Sequence, residues 1–465
     1  MDHLTSLSIY EASELLKSKC ISPVELLNAH LEIIHKKEPI LNSFITILEK
    51  QSQDSALIAE KEILENKIKS RLHGIPIGLK DLYFTKGIKT TIGSSIHKDF
   101  IPEYDSAVTE KLSDSGAIII GKMQMHEFAL GTTSINEHHG TSKNPWNPQH
   151  VTGGSSGGSA SSVASGQVMG AMGSDTGGSI RIPSAACGIV GLKPTFGRVS
   201  RYGVFPLSWS LDTVGPMTRT TIDSAIMMNS IAGYDSRDSS SINVKTDDYL
   251  IKINDGIKGL RIGVPTNFFY SVIDPEVEKS VKNASRKLSD LGAEVEEFSL
   301  PVLEHSLAIS SIILLTEAAE IHLENMRNNS AKMGVDVLER LRQGLILSGT
   351  DYVSALRART EFNQEIDLAL QKYDVLLSPT LAIGAPKITE DLITIGDTTL
   401  STSSLMSRLT RPFNVTGLPT ISIPCGLTSS KMPIGLQLTS KAFQESTILK
   451  TAQAYEREVG FPKIA

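Results

Sequence analysis

Three stretches of this 465-residue chain combine residue types that can do chemistry. The first places Lys80 in the apolar run Ile75-Pro76-Ile77-Gly78-Leu79-Lys80-Asp81. A lysine in such a run either snorkels to the surface or is desolvated. Desolvation lowers its pKa until the neutral amine can act as a base. The second stretch is Gly153-Gly154-Ser155-Ser156-Gly157-Gly158-Ser159, and the third is Gly177-Gly178-Ser179-Ile180-Arg181-Ile182-Pro183-Ser184. Neither loop ends in Gly-Lys-Ser/Thr or matches Gly-x-Gly-x-x-Gly, the patterns of phosphate-cradling turns. The consecutive N–H groups of Thr176, Gly177, Gly178 and Ser179 can instead hold an oxyanion, as acyl transfer requires. A serine at such a turn is a natural nucleophile once something takes its proton.

Histidine is the usual base, but none of the chain's 11 histidines lies in these loops. His126, His138 and His139 are the nearest, and they read as structural. Glu127 follows His126 but opens no His-Glu-x-x-His zinc motif, because residue 130 is leucine. The sequence therefore predicts neither a metal site nor a cofactor.

The segments that must position these residues follow an α/β grammar. Residues 151–180 hold nine of the 36 glycines and eight serines. Glycine is costly to order, so its concentration points to close backbone approach. Val163, Val168, Met169 and Met172 interrupt the run, which argues against a flexible linker. Ser22-Pro23-Val24-Glu25 is a capping box that predicts a helix start. Residues 74–85 read as a buried strand or turn, and residues 117–120 as a core strand after a helix stopped at Gly116. Asp274-Pro275 opens a further helix, ended by Gly292 and followed by a strand over 294–298. Residues 260–264 and 373–377 are further strand candidates. Helices alternating with strands predict an α/β fold.

Composition narrows the function classes. A net charge of −6 lacks the basic surplus expected of a nucleic-acid binder. The three cysteines, Cys20, Cys187 and Cys425, form no CxxC pair and cannot build a disulfide framework. The first residues lack the apolar core of a signal peptide, and the longest aliphatic runs, such as 312–315, are short. The expectation is a cytoplasmic protein with no nucleic-acid or membrane partner.

The two glycine loops, read with their continuations, carry a resemblance. Residues 153–159, then Gly173-Ser174-Asp175-Thr176 running into 177–184, then 187–195 and Asp212-Thr213-Val214-Gly215-Pro216-Met217, are similar to the defining motif of the amidase signature family. Weaker matches at 373–380 and at Pro412–Pro419 extend the likeness over nearly the whole chain. The resemblance implies a single large α/β domain over 1–465, with a mixed, mostly parallel twisted central sheet covered by helices on both faces. Within it, 1–70 would be a helical N-terminal part, 71–225 the catalytic core, and 256–465 the half that completes the sheet and substrate pocket. The implied triad is Ser179 as nucleophile, Ser155 as bridging serine after a cis Gly154–Ser155 peptide, and Lys80 as base. The implied oxyanion hole is formed by Thr176, Gly177, Gly178 and Ser179, and the implied reaction is hydrolysis of a small-molecule amide through an acyl-enzyme.

Two kinds of member fit. One is a stand-alone amidase, for which a homodimer is one arrangement. The other is the ammonia-releasing A subunit of an aspartyl/glutamyl-tRNA amidotransferase, which needs partner subunits. In the latter, an acidic residue that reads the glutamine amino group precedes the Pro-x-Asn element; here that position is Ser407. The segment 318–333 also departs from that subunit's pattern, and Met125-His126-Glu127-Phe128 is closer to hydrolases. These departures favour the stand-alone amidase. Arg340 or Arg342 could read a substrate carboxylate, although a solvated helix face beside Glu339 is the competing reading. From another class, a non-catalytic anion- or nucleotide-binding protein would use the same loops and release no ammonia from any amide.

Overall fold

In the computed structural model, which describes residues 2–464, Ser22 and Glu25 exchange the two bonds of a capping box and start the helix Pro23–Leu41. The helix Pro275–Asp290 begins behind the Asp274 cap, and the strand Glu294–Phe298 follows it. Strands also form at Pro76–Lys80, Ile118–Met123, Arg261–Pro265 and Val375–Pro379, where sequence pattern places them. The N-terminal part is not purely helical. Phe44–Ile47, rich in β-branched residues, adds an edge strand antiparallel to Ile118–Met123.

Eleven strands make one sheet from both halves of the chain. From edge to edge they run Phe44–Ile47, Ile118–Met123, Pro76–Lys80, Gly170–Asp175, Thr213–Thr218, Val190–Lys193, Thr420–Leu427, Pro433–Thr439, Val375–Pro379, Arg261–Pro265 and Glu294–Phe298. The sheet is mixed, as expected, but its parallel share is smaller than expected: six of its ten strand pairs are antiparallel. The reason lies in the connections. Thr420–Leu427 and Pro433–Thr439 close as a hairpin, whereas each parallel pair needs a long crossover. The central strands are buried at every position, so their apolar runs carry no alternation that would reveal strand direction.

Two apolar clusters cover the sheet. Ala171 belongs to one and its chain neighbour Met172 to the other. Successive strand residues point to opposite faces, so the clusters lie on the two sides of the sheet. The smaller holds Leu27, Leu31 and Ile34 from the first long helix against Ile118 and Ile120.

Among the described residues, one helical segment, Pro301–Ile321, has the length and composition of a membrane span, which its short aliphatic runs do not announce. Half of it is buried within the protein, where it packs against the helices Val335–Ile346 and Gly349–Lys372. It also buries Glu317, whose carboxylate accepts bonds from the hydroxyls of Ser210 and Tyr352, each at 2.7 Å, and from Ser208. A carboxylate satisfied by protein hydroxyls belongs to a packed interior.

Candidate active site

Lys80 ends the strand Pro76–Lys80, which lies between two parallel neighbours. The register sets the Lys80 ammonium beside Ser174 of the next strand and beneath the glycine loop that carries Ser155. Nζ lies 2.7 Å from Ser155 Oγ and 2.8 Å from Ser174 Oγ, and the side chain is wholly buried. No carboxylate touches it. Burial therefore pulls its pKa down to about 7, against the opposing pull of the Asp212 and Asp175 charges. Of the two readings of this lysine, the structure shows the desolvated one.

The peptide Gly154–Ser155 is cis. Behind it, the glycine-rich run is a built element: Gly157–Ala164 is a helix buried over almost its whole length. Gly158 lets this helix touch its neighbours, since a Cβ there would stand 2.4 Å from Ser43 O and 2.5 Å from Gln124 O. Ser156 Oγ donates to Ser174 O at 3.2 Å and ties the loop back to the strand Gly170–Asp175.

The turn carrying Ser179 is folded around a buried ion pair. Asp175 Oδ1 lies 3.0 Å from Arg181 Nη2, and both side chains are fully buried. Asp175 also accepts from Gly178 N at 2.8 Å, Ile180 N at 3.2 Å and Asn414 Nδ2 at 2.7 Å. Burial alone would raise this carboxyl; the Arg181 charge and these bonds outweigh it and hold the pKa at about 2. Arg181 directs its remaining donors to Thr410 O, Gln437 Oε1 and Asn414 Oδ1 at 2.7–3.0 Å. Every charge in the cluster is compensated.

This arrangement corrects one element of the predicted oxyanion hole. The N–H of Gly178 is committed to Asp175, because the carboxylate folds under the turn. The N–H groups of Gly177 and Ser179 donate to nothing among the described residues. Thr176 anchors the turn through its side chain, donating to Asp212 Oδ1 at 2.6 Å. Gly178 sits at φ +125°, and a Cβ on it would stand 2.1 Å from Thr410 Oγ1. Only glycine fits there.

Ser179 opens onto a cavity of about 350 Å³, with Thr176 and Gly177 beside it. The structure joins Lys80 and Ser155 directly, but among the described residues no hydrogen bond links Ser179 to Ser155. Arg340, on the helix Val335–Ile346, lines the same cavity and donates to Ser403 Oγ at 2.8 Å. Arg342, two residues on, is exposed to solvent. Arg411 is a second cavity arginine that the sequence reading missed; it donates to Ser311 Oγ at 2.6 Å and to Ser407 Oγ at 3.3 Å. A second cavity of about 360 Å³ lies across Thr176 and Ala129, with Ser174 and Asp212 in its wall.

His126 and His138 each pair with a carboxylate. His126 Nε2 lies 2.9 Å from Asp336 Oδ2, and His138 Nε2 lies 3.1 Å from Glu127 Oε1. Glu127 in turn accepts from Gly334 N at 2.7 Å, so these groups fix the start of the helix that bears Arg340. Among the described residues, no group of three or more His, Cys, Asp or Glu side chains is placed to hold a metal ion. Ser174, Asn414 and Gln437 are the other site residues that sequence reasoning passed over. Ser174 and Asn414 lay within the matched motifs without a role being read for them, and Gln437 was marked only by polarity in apolar surroundings, Gly435-Leu436-Gln437-Leu438.

The family model described as Amidase matches residues 25–449. A protein of Geobacter sp. (strain M21), named as the A subunit of glutamyl-tRNA(Gln) amidotransferase, is 39% identical over 476 residues, covering 97% of each chain. A solved structure of a protein of that name from Thermotoga maritima is 33% identical, with a TM-score of 0.84 over 99% of this chain and 98% of that one. Another solved chain, from a vestigial protein complex that bears on the origins of an s-triazine catabolic enzyme, is 29% identical with a TM-score of 0.94, covering 99% of this chain and all of that one. Sequence, fold and site geometry agree: the chain belongs to the amidase signature family and is an enzyme of the amide C–N bond.

Proposed function

We propose that the protein hydrolyses an amide through an acyl-enzyme on Ser179, with Ser155 and Lys80 moving the protons. The observation that carries this is the 2.7 Å contact between Lys80 Nζ and Ser155 Oγ, in which the amine is poised near neutrality. Neutral Lys80 accepts the proton of Ser155, which accepts that of Ser179 as its Oγ bonds to the carbonyl carbon. The N–H groups of Gly177 and Ser179 hold the oxyanion that forms. As the C–N bond breaks, the proton returns through Ser155 to the leaving nitrogen, and ammonia or an amine departs. Water then attacks the ester, gives its proton to the same pair, and releases the acid and free Ser179. Intact-mass analysis during turnover tests the assignment: an acyl adduct on the wild type, absent from Ser179→Ala with ammonia release down more than about a thousandfold, is the expected result. Retained turnover in that variant would overturn it.

Two readings of the biological setting each have support. Identity to the amidotransferase subunits along nearly the whole chain supports ammonia release from glutamine within a multi-subunit enzyme. The cavity lining supports a stand-alone amidase acting on another amide, because Ser407, at the position where the resemblance expects the acid that reads a glutamine amino group, is a serine bonded to Arg411. The comparisons favour the first reading, and the chemistry of the cavity favours the second. Ammonia release from glutamine by the purified protein, alone and with the other amidotransferase subunits, separates them; release that needs those subunits sinks the stand-alone reading.

A further inference from the structure

The cavity onto which Ser179 opens is unusual in its charge. Arg340 and Arg411 both line it, and no aspartate or glutamate does. Each guanidinium has five N–H donors. Arg340 makes one side-chain bond, to Ser403, and Arg411 makes two, to Ser311 and Ser407. All three acceptors are neutral hydroxyls. The carboxylate that acts on Arg340 is Asp336, and it is held by His126 at 2.9 Å. Two half-buried cations thus share a concave site with no anion of the protein's own, although the chain as a whole is acidic. Arg181, by contrast, is compensated by Asp175 at 3.0 Å. Burial lowers both arginine pKa values, that of Arg411 to about 10, and the Arg340 charge adds to the effect on Arg411.

We infer that Arg340 and Arg411 form a carboxylate-binding site within the Ser179 cavity, and that the substrate is an amide whose acyl chain carries a carboxylate and no ammonium group. A carboxylate there gains charge-assisted bonds from a guanidinium and relieves the repulsion between the two cations. An ammonium beside it meets two positive charges and no acid, since Ser407 offers only a hydroxyl already bonded to Arg411. Leu314, Leu315 and Leu207 also line the cavity, and a Cβ on Gly177 would stand 3.9 Å from Arg411 Cγ, so a short methylene chain suits the site. The substrate class is therefore the half-amide of a short dicarboxylic acid. This rests on amide hydrolysis at Ser179 as proposed above.

The test compares purified full-length protein on succinamate and glutaramate, on their neutral counterparts butyramide and valeramide, and on glutamine. Acylation of Ser179 by a fluorophosphonate and calorimetric binding of succinate are measured in parallel. A half-amide should exceed its neutral counterpart and glutamine in kcat/KM by about 10- to 100-fold, the scale of a charged hydrogen-bonded pair. Arg411→Gln and Arg340→Gln should each reduce the ratio of half-amide to neutral amide about tenfold, with Arg411→Lys keeping part of it. Circular dichroism confirms that the variants fold. Equal turnover of charged and neutral amides, or glutamine as the best substrate, overturns the inference while leaving hydrolysis at Ser179 standing. If Ser179 is not acylated and no amide is cleaved, the hydrolytic reading fails. Calorimetry then decides the carboxylate site alone: succinate binding that both Gln variants lose sustains it, and absence of binding overturns it.

Discussion

Lys80 donates to Ser155 at 2.7 Å in a wholly buried setting, with hydroxyls and no carboxylate as its partners. A lysine paired with an acid would stay charged through neutrality and could not accept a proton. This one is held near the point where both forms coexist.

Activity should follow that titration. The amine must be neutral to accept a proton, so kcat/KM should be low in acid, rise about tenfold per pH unit, and level off above about 7. A pH–rate profile on a substrate with no ionisable group near neutrality checks this. A profile flat between pH 5 and 8 would contradict the role given to Lys80.

Ser174 supplies the second acceptor for the Lys80 ammonium, at 2.8 Å. Removing it with Ser174→Ala takes a partner from the charged form and should move the acid limb of the profile to lower pH. A merely structural role would lower activity at every pH and leave the midpoint in place.

The Asp175–Arg181 pair predicts a stability effect. Asp175→Asn or Arg181→Met leaves one buried charge uncompensated, which costs about 3–5 kcal/mol. Urea unfolding of each variant measures it. Because the folded carboxyl is held at about 2, its contribution is full above the unfolded value of about 3.9. It is lost as pH falls through about 2, so the destabilisation by Asp175→Asn should persist unchanged from pH 5 to 8.

Gly178→Ala would bring a methyl into Thr410 at a backbone angle that favours glycine. The expected result is loss of Ser179 acylation together with a lowered Tm. The double change with Thr410→Gly removes both of the crowded Thr410 atoms, Oγ1 and Cβ, and should recover part of the Tm.

Much of this site was legible in the chain. Ser155 and Ser179 stand in motifs dense enough in glycine and serine to be read as built loops, Lys80 stands in an apolar run, and the family resemblance links the three; Gly178 needs its glycine for the reason such loops have them. The capping box at Ser22 and the helix stop at Gly292 mark elements by local chemistry alone. What escaped was long-range. Asn414 and Gln437 reach Arg181 across more than two hundred residues, and Arg411 meets Arg340 only because a helix and a loop from different segments share a cavity. Local pattern carries no trace of such meetings. The strand directions escaped for a different reason: strands covered on both faces are apolar throughout, whichever way they run.

The grip of Thr410, Asn414 and Gln437 on Arg181 has a consequence for biosynthesis. Lys80, Ser155 and Ser179 leave the ribosome more than two hundred residues ahead of Thr410, Asn414 and Gln437. A nascent chain that has not reached Thr410 thus carries all three reactive side chains while Arg181 lacks three of its partners, and competence to attack an amide should come only when that later segment joins the fold.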